Sequence, residues 1–276
     1  MGKQRRTYAG RTAVITGAGS GIGRALAVEL AGRGARLALS DVDEASVQQT
    51  VATCRGLGAT AHGYRLDVTD RAAVHTHADD VASDLGAVHL VVNNAGVALH
   101  GPVSELTEED FRWVMEIDFW GVVHGTQAFL PHLAASGDGQ LANVSSIFGI
   151  VAVPKQSAYN AAKFAVRGFT EALRQECRLD GTPVSVSCIH PGGVRTEIAR
   201  RARATAGEDK AEMARTFDAL ARTSPPRAAR TILRGLERDK PRILVGPDAW
   251  FLAGLPRLLG ADYGRVVSRS AARLDR

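Results

Sequence analysis

The tightest constraint in this sequence lies in residues 12–31. Thr12-Ala13-Val14-Ile15 is a short apolar run of buried-strand type, and it passes directly into Thr16-Gly17-Ala18-Gly19-Ser20-Gly21-Ile22-Gly23. From Arg24 to Leu30 the apolar residues fall at helical spacing. Strand, glycine turn and helix in immediate succession let the backbone approach an anion closely, because glycine has no Cβ and the first N–H groups of the helix point outward. The spacing of Gly17, Gly21 and Gly23 is G-x-x-x-G-x-G. Gly17, Ser20, Gly21, Ile22 and Gly23 are therefore the candidate contacts of a pyrophosphate.

After Gly32-Arg33-Gly34 a second strand is predicted over Ala35 to Ser40, ending at Asp41, eighteen positions beyond Gly23. A carboxylate there accepts hydrogen bonds from an adenosine ribose and repels a 2′-phosphate, which favours NAD over NADP. The competing role for Asp41 is a turn or helix cap, a place for which Asp43 also qualifies. The alternation continues with a helix over Glu44 to Leu57, a strand to Leu66, Asp67-Val68-Thr69-Asp70, a helix to Leu85, and Val88 to Val92 running into Asn93-Asn94-Ala95-Gly96. Repeated βα units of this length predict an α/β protein: a Rossmann-type doubly wound parallel sheet with helices on both faces, in a single domain. Ligands in such sheets sit at the C-terminal strand ends, where Asp67 and the Asn93 to Gly96 segment fall.

Further on, the apolar run Leu141 to Val144 leads to Ser145-Ser146, and Tyr159 and Lys163 follow four residues apart. On a helix that spacing stacks the two side chains on one face, about 5–6 Å apart at Cβ, so an ammonium can favour a phenolate. By itself Tyr-x-x-x-Lys is a weak signal, since an exposed aromatic and a solvated lysine produce it by chance. Its weight comes from the glycine turn and the strands before it.

Composition narrows the classes. The chain has 276 residues and a formal net charge of +5. Much of the basic charge sits at the ends, in Lys3, Arg5, Arg6 and Arg11, then in Arg265, Arg269, Arg273 and Arg276, with more at Arg200, Arg201 and Arg203. No helix-turn-helix or aromatic-interleaved basic module accompanies it, so solvated tails are expected and no nucleic-acid partner. Cys54, Cys177 and Cys188 are scattered and form no C-x-x-C pair, which predicts neither a disulfide framework nor a metal site. With no apolar run long enough to span a bilayer and no secretory leader, a cytoplasmic protein is expected.

These motifs together resemble the short-chain dehydrogenase/reductase family, in its compact single-domain form, from about Arg11 to Val245. Its T-G-x-x-x-G-x-G appears as Thr16 to Gly23, its Asp-Val as Asp67-Val68, and its N-N-A-G as Asn93 to Gly96. Its serine appears as Ser146, its Y-x-x-x-K as Tyr159 and Lys163, and its P-G-x-V-x-T as Pro191-Gly192-Gly193-Val194-Arg195-Thr196. The resemblance implies hydride transfer between a nicotinamide ring and a hydroxyl or carbonyl carbon. It implies Tyr159 as general acid/base, Lys163 as the charge that assists it and holds the nicotinamide ribose, and Ser146 as hydrogen-bond donor to the substrate oxygen. Asp67 and Val68 would contact adenine, Asn94, Ala95 and Gly96 would line the cofactor, Val194 and Thr196 would hold its carboxamide end, and Pro191 and Gly192 would also contact the cofactor. Ser146, Phe148, Val153, Tyr159 and Gly193 are the expected substrate contacts, mostly apolar, pointing to a hydrophobic alcohol or ketone. One position departs from the pattern: where the family usually carries asparagine, in Glu116 to Gly121, this chain has Asp118. An ionised Asp118 would stabilise the Lys163 charge and offset its pull on Tyr159, moving the pH optimum upward; the alternative is that backbone atoms do the work of the usual asparagine and Asp118 is tolerated.

The family pairs two helices across subunits, the one from about Thr107 to Leu133 and the one carrying Ala158, Ala161, Ala162, Ala165, Gly168 and Ala172, so a homodimer or homotetramer is implied. Residues 1–10 are expected to be a basic tail, 11–248 the dinucleotide-binding and catalytic domain, and about 197–226 a flexible flap without a strand. Residues 249–276 form an apolar, then basic extension, whose Trp250 to Leu259 run is Pro-broken and expected to dock on protein rather than membrane. Two alternatives stay open: an NADPH-preferring carbonyl reductase, and a catalytically quiet dinucleotide-binding sensor or scaffold.

Overall fold

The structure, a computed structural model, describes residues 6–274, with side chains through residue 270. Of the terminal charges named above, Lys3, Arg5 and Arg276 lie outside the described residues. The chain runs β1 (Thr12–Thr16), α1 (Gly21–Ala31), β2 (Arg36–Asp41), α2 (Glu44–Gly56), β3 (Ala61–Arg65), α3 (Arg71–Leu85), β4 (Val88–Asn93) and β5 (Leu99–His100). Then come α4 (Glu108–Met115), a π turn over Glu116–Trp120, α5 (Gly121–Ala135), β6 (Gly139–Val144), a 3-10 turn over Ile147–Gly149, α6 (Ser157–Leu179) and β7 (Val184–Pro191). The last elements are β8 (Arg203–Ala204), α7 (Lys210–Leu220), α8 (Pro225–Leu236), β9 (Arg242–Val245), α9 (Pro247–Leu259) and α10 (Tyr263–Leu274).

Seven strands form one sheet in the order β3-β2-β1-β4-β6-β7-β9, every pair parallel. The sheet is doubly wound as the βα alternation predicts, and its order reverses between β1 and β4. That reversal opens a crevice at the carboxyl ends of the two strands, where the helices on either side diverge. Alternate residues of each strand feed the two cores. Ala13 and Ile15 of β1, with Leu37 and Leu39 of β2, pack with Leu26 and Leu30 of α1 and Ile232 and Leu233 of α8. Val14 and Ala38 face the other way, among Val81 and Leu85 of α3 and Phe129 and Leu133 of α5. Both faces are therefore covered, which a parallel sheet requires.

Three expectations change. The predicted helix from about Thr107 to Leu133 is continuous but carries a π turn at Glu116–Trp120, because hydrophobic periodicity does not register a single extra residue in the hydrogen-bond ladder. The segment 197–226 contains a strand after all: β8 pairs in parallel with β5, a two-residue match too short to leave a period-two signal. Trp250 to Leu259 is not broken at Pro256, which lies in the last turn of α9, where the bond that proline cannot donate costs little continuity.

The ends also differ from simple solvated tails. Tyr8 is buried in the core, and Arg6 and Arg11 both pair with Asp138. At the other end Ala249 packs with Ile147, Ile150 and Val151, which fixes the inner side of α9 to the segment after β6. All three cysteines are free and buried. Among the described residues no helix is long and apolar enough to cross a membrane.

Candidate active site

The glycine turn closes the end of β1. Gly17 and Gly21 have φ of 63° and 53°, a region that costs other residues strain. A Cβ on Gly17 would come within 2.8 Å of the Ala95 Cα, and one on Gly23 would strike the Gly17 carbonyl. Ser20 stands at the N-cap of α1 without a side-chain capping bond, so the N–H groups of the first turn are not closed off by it. The turn thus forms a concave backbone cradle at a helix N-terminus, which fits a pyrophosphate.

Neighbouring strand ends hold this cradle in place. Thr16 Oγ1 accepts the N–H of Asn94 at 3.0 Å and of Ala95 at 3.1 Å, while Asn94 Nδ2 donates to the carbonyls of Thr16 and Gly17 at 2.9 and 3.1 Å. Asp41 Oδ2 accepts the Gly19 N–H at 2.9 Å and its Oδ1 accepts the Asp43 N–H at 3.0 Å. Asp43 itself caps α2 through the Ser46 N–H, so Asp41 is not the helix cap, and its bond to the Asp43 N–H is the turn contact that competed with ribose binding. Arg24, not singled out from sequence, donates to the Gly19 carbonyl and, at 3.1 Å, to Thr50 Oγ1. Asp67 accepts from the Thr69 N–H and hydroxyl, at 2.9 and 2.8 Å, in an Asx-type turn, and Val68 is buried beside Gly121.

Ser146 follows β6 directly, and its carbonyl is 2.8 Å from Nδ1 of the fully buried His190 on β7. Burial pushes the His190 pKa down to about 4, so the ring is neutral and donates through Nδ1. Ser146 Oγ accepts the Phe148 N–H at 3.1 Å and hydrogen-bonds the Tyr159 phenol. Ser145 turns the other way and donates to the Lys163 carbonyl at 2.8 Å, anchoring α6 to the strand end. Tyr159 and Lys163 lie one turn apart on α6, with Lys163 Nζ 5.5 Å from the Tyr159 ring centroid.

The π turn places Asp118 against that lysine. Its Oδ2 is 3.0 Å from Lys163 Nζ, its Oδ1 accepts the Val97 N–H at 2.7 Å, and the side chain is fully buried. Lys163 also donates to the Val144 carbonyl at 3.3 Å. Burial opposes the ammonium, but Asp118 outweighs it and holds Lys163 above its ordinary pKa. Burial raises the Tyr159 pKa, Lys163 lowers it, Asp118 raises it again, and the net direction is upward. Burial likewise pushes the Asp118 carboxyl up against the pull of Lys163.

The segment Pro191 to Thr196 leaves β7 and closes over the glycine turn, where a Cβ on Gly21 would meet the Thr196 methyl at 3.1 Å. Gly193 N–H donates to Asp248 Oδ2 at 2.6 Å, while Ala221 covers Gly193 and Val194 bridges to Thr223. Sequence reasoning missed Asp248, which sits in the first turn of α9, fifty-five residues from its partner. The other expected substrate residues gather by Tyr159. Phe148 meets its ring edge-on at 6.4 Å, and Val153 is half-buried with its carbonyl bonded to Asn160 Nδ2 at 2.8 Å. Glu208, just beyond β8, pairs with Lys155 at 3.1 Å and His100 at 3.4 Å, tying the 197–226 segment to the same rim. Among the described residues no group of three or more His, Cys, Asp or Glu side chains is placed to hold a metal.

Known proteins match this arrangement. The short chain dehydrogenase family profile matches residues 11–207. SadH of Mycobacterium tuberculosis is 52% identical over 268 residues, covering 97% of either chain. Human estradiol 17-beta-dehydrogenase 11 is 29% identical over 268 residues, covering 97% of this chain and 85% of its own. Among solved structures, a short chain dehydrogenase/reductase from Burkholderia phymatum in complex with NAD superposes with a TM-score of 0.86 at 32% identity, covering 92% of this chain and 95% of the other.

Proposed function

The chain belongs to the short-chain dehydrogenase family, and from that membership we propose that it is an NAD-dependent oxidoreductase interconverting an apolar secondary alcohol and its ketone. As a family member it is an oxidoreductase acting on CH–OH or C=O with a nicotinamide dinucleotide. The observation that carries the finer reading is the convergence of Ser146, Tyr159 and Lys163 at the end of β6, beside the glycine cradle at the end of β1.

When bound, the dinucleotide supplies the ring carbon that accepts or gives the hydride. Gly17, Ser20, Gly21, Ile22 and Gly23 would hold its pyrophosphate, Asp41 its adenosine ribose, and Asp67 and Val68 its adenine. Asn94, Ala95 and Gly96 would line the crevice and Pro191 and Gly192 would also contact the cofactor; Val194 and Thr196 would hold the carboxamide end, and Tyr159 and Lys163 the second ribose. In oxidation the Tyr159 phenolate takes the alcohol proton, and in reduction the phenol returns it. An unperturbed phenol, with a pKa of about 10, is a poor base at neutral pH, so the Lys163 charge has to favour its ionised form. Ser146 donates to the substrate oxygen and stabilises alkoxide character there.

Asp41 supports NAD over NADP. Its carboxylate would face a 2′-phosphate, and Arg24, the cation of that corner, is already bonded to Gly19 and Thr50. Phe148 and Val153 support an apolar substrate, in keeping with a relative named for a steroid alcohol. Assembly as a homodimer or homotetramer is supported by Phe111, Trp120 and Phe164, exposed on α4, the π turn and α6.

Fluorescence titration with NADH and NADPH tests the cofactor reading. NADH should bind tightly and NADPH weakly, and Asp41→Ala should narrow the gap by about tenfold or more. Failure of both to bind would overturn the proposal.

A further inference from the structure

The two C-terminal helices carry a surface that the reaction does not use. Helix α9 is apolar on both sides. Its inner side, Ala249 with Leu252 and Ala253, packs against Ile147, Ile150 and Val151. The outer side carries Trp250, Phe251 and Leu258, which are 64%, 68% and 83% exposed. At 100° per residue these three fall on one face, opposite Ala249 and Leu252. Three large apolar side chains exposed side by side form a patch of the kind that marks an interaction surface.

The charges around the patch select the occupant. Arg257 flanks it on α9, and the following helix α10 carries Arg265 and Arg269 one turn apart, of which Arg265 pairs with the exposed Asp262 at 3.4 Å. The other acid of these helices, Asp248, is turned inward onto Gly193. A two-fold contact between copies through this face would set the same basic rim against itself. An anionic lipid surface instead meets the arginines with headgroups and the tryptophan, phenylalanine and leucine with acyl chains. With 13 residues α9 is about 20 Å long, too short to cross a bilayer but long enough to lie in its interface.

From this arrangement we infer that the outer face of α9, with the basic side of α10, docks the protein onto anionic lipid bilayers. The inner anchoring holds α9 as a rigid ledge: Tyr263 at the start of α10 accepts the Ala152 N–H at 3.2 Å, and α9 packs on the turn that carries Phe148. Docking sets that side of the molecule toward the lipid. It does not depend on the cofactor or substrate assigned above.

The test is flotation of the full chain with vesicles of phosphatidylcholine alone and of phosphatidylcholine with phosphatidylglycerol. The protein should float with the anionic vesicles and little with the neutral ones. The triple variant Trp250→Gln, Phe251→Gln, Leu258→Gln should lose flotation while keeping the wild-type melting temperature. The double variant Arg265→Gln, Arg269→Gln should bind anionic vesicles about tenfold more weakly or worse. As a milder check, brominated lipids should quench wild-type fluorescence but quench Trp250→Phe much less. No flotation with either vesicle would overturn the inference, as would equal flotation with both or undiminished flotation of the triple variant. A triple variant that instead halves the particle mass, in a protein that does not float, would assign the face to a second copy.

Discussion

Asp118 is the residue at which this chain's chemistry should depart from the usual pattern of the family. A carboxylate 3.0 Å from Lys163 Nζ and wholly buried takes part of the lysine's field away from Tyr159. The sign follows directly: Asp118 acts to raise the phenol pKa, so less phenolate is present at a given pH and oxidation climbs toward alkaline pH. Asp118→Asn keeps a group that can accept the Val97 N–H and removes the charge, so the rising limb of the oxidation profile should move down by about one pH unit. A profile identical to wild type would show that Asp118 only positions the lysine. The substitution itself was plain in the sequence, because the segment around it aligned with a known pattern. The ion pair was not, since it requires the π turn to bring residue 118 against residue 163. Arg24 and Asp248 escaped for a similar reason: arginine in a first helical turn and aspartate after Gly246-Pro247 are ordinary surface choices until their partners are known.

At the level of elements, α6 shows how far periodicity reaches. Tyr159 and Lys163 share a face, as their spacing predicts, but the run of small residues taken as one surface divides in two. Ala158 and Ala162 are buried against Val114 and Leu99, while Ala161, Gly168 and Ala172 face outward. A Cβ placed on Gly168 would meet nothing within 4 Å in the single chain, so the space beside it belongs to solvent or to a second copy. Gly168→Glu should therefore leave the fold intact and lower the mass seen in sedimentation by at least half, through a buried and unpaired carboxylate at the subunit contact. An unchanged mass would place the contact elsewhere. The strand–turn–helix at residues 12–31 was legible because three levels agree there: an apolar run, glycines at fixed places and helical spacing. The pairing of β5 with β8 was not, because two residues carry no period.

At the scale of the whole molecule, two histidines, His77 and His190, are held neutral in the interior. His77 on α3 packs edge-on against Tyr64 and Phe129, and His190 on β7 bonds the Ser146 carbonyl. Burial lowers both pKa values to about 4. The unfolded chain takes up these protons from about pH 6.5 downward while the folded chain resists until about pH 4, so stability falls as pH falls through that window. The loss should amount to a few kcal/mol by about pH 4. Urea denaturation at several pH values measures it, and His77→Phe should flatten the decline by roughly half. A decline as steep in the variant would remove His77 from the account. That βα alternation gives a doubly wound sheet with its crevice at a strand-order reversal was readable from the chain. Which polar groups would be shut inside it was not, because burial is a property of the assembled layers.

The reaction assigned here depends on a single phenol, and its removal is the most direct measurement. Tyr159→Phe keeps the ring that packs edge-on against Phe148 and deletes only the hydroxyl. In NAD-linked oxidation of a panel of apolar secondary alcohols, wild type should turn over at least one member. The variant should still bind NADH, weakened by no more than about tenfold through the lost ribose contact, while its turnover falls by about 10² to 10⁴-fold. Turnover by Tyr159→Phe at the wild-type rate would contradict the mechanism.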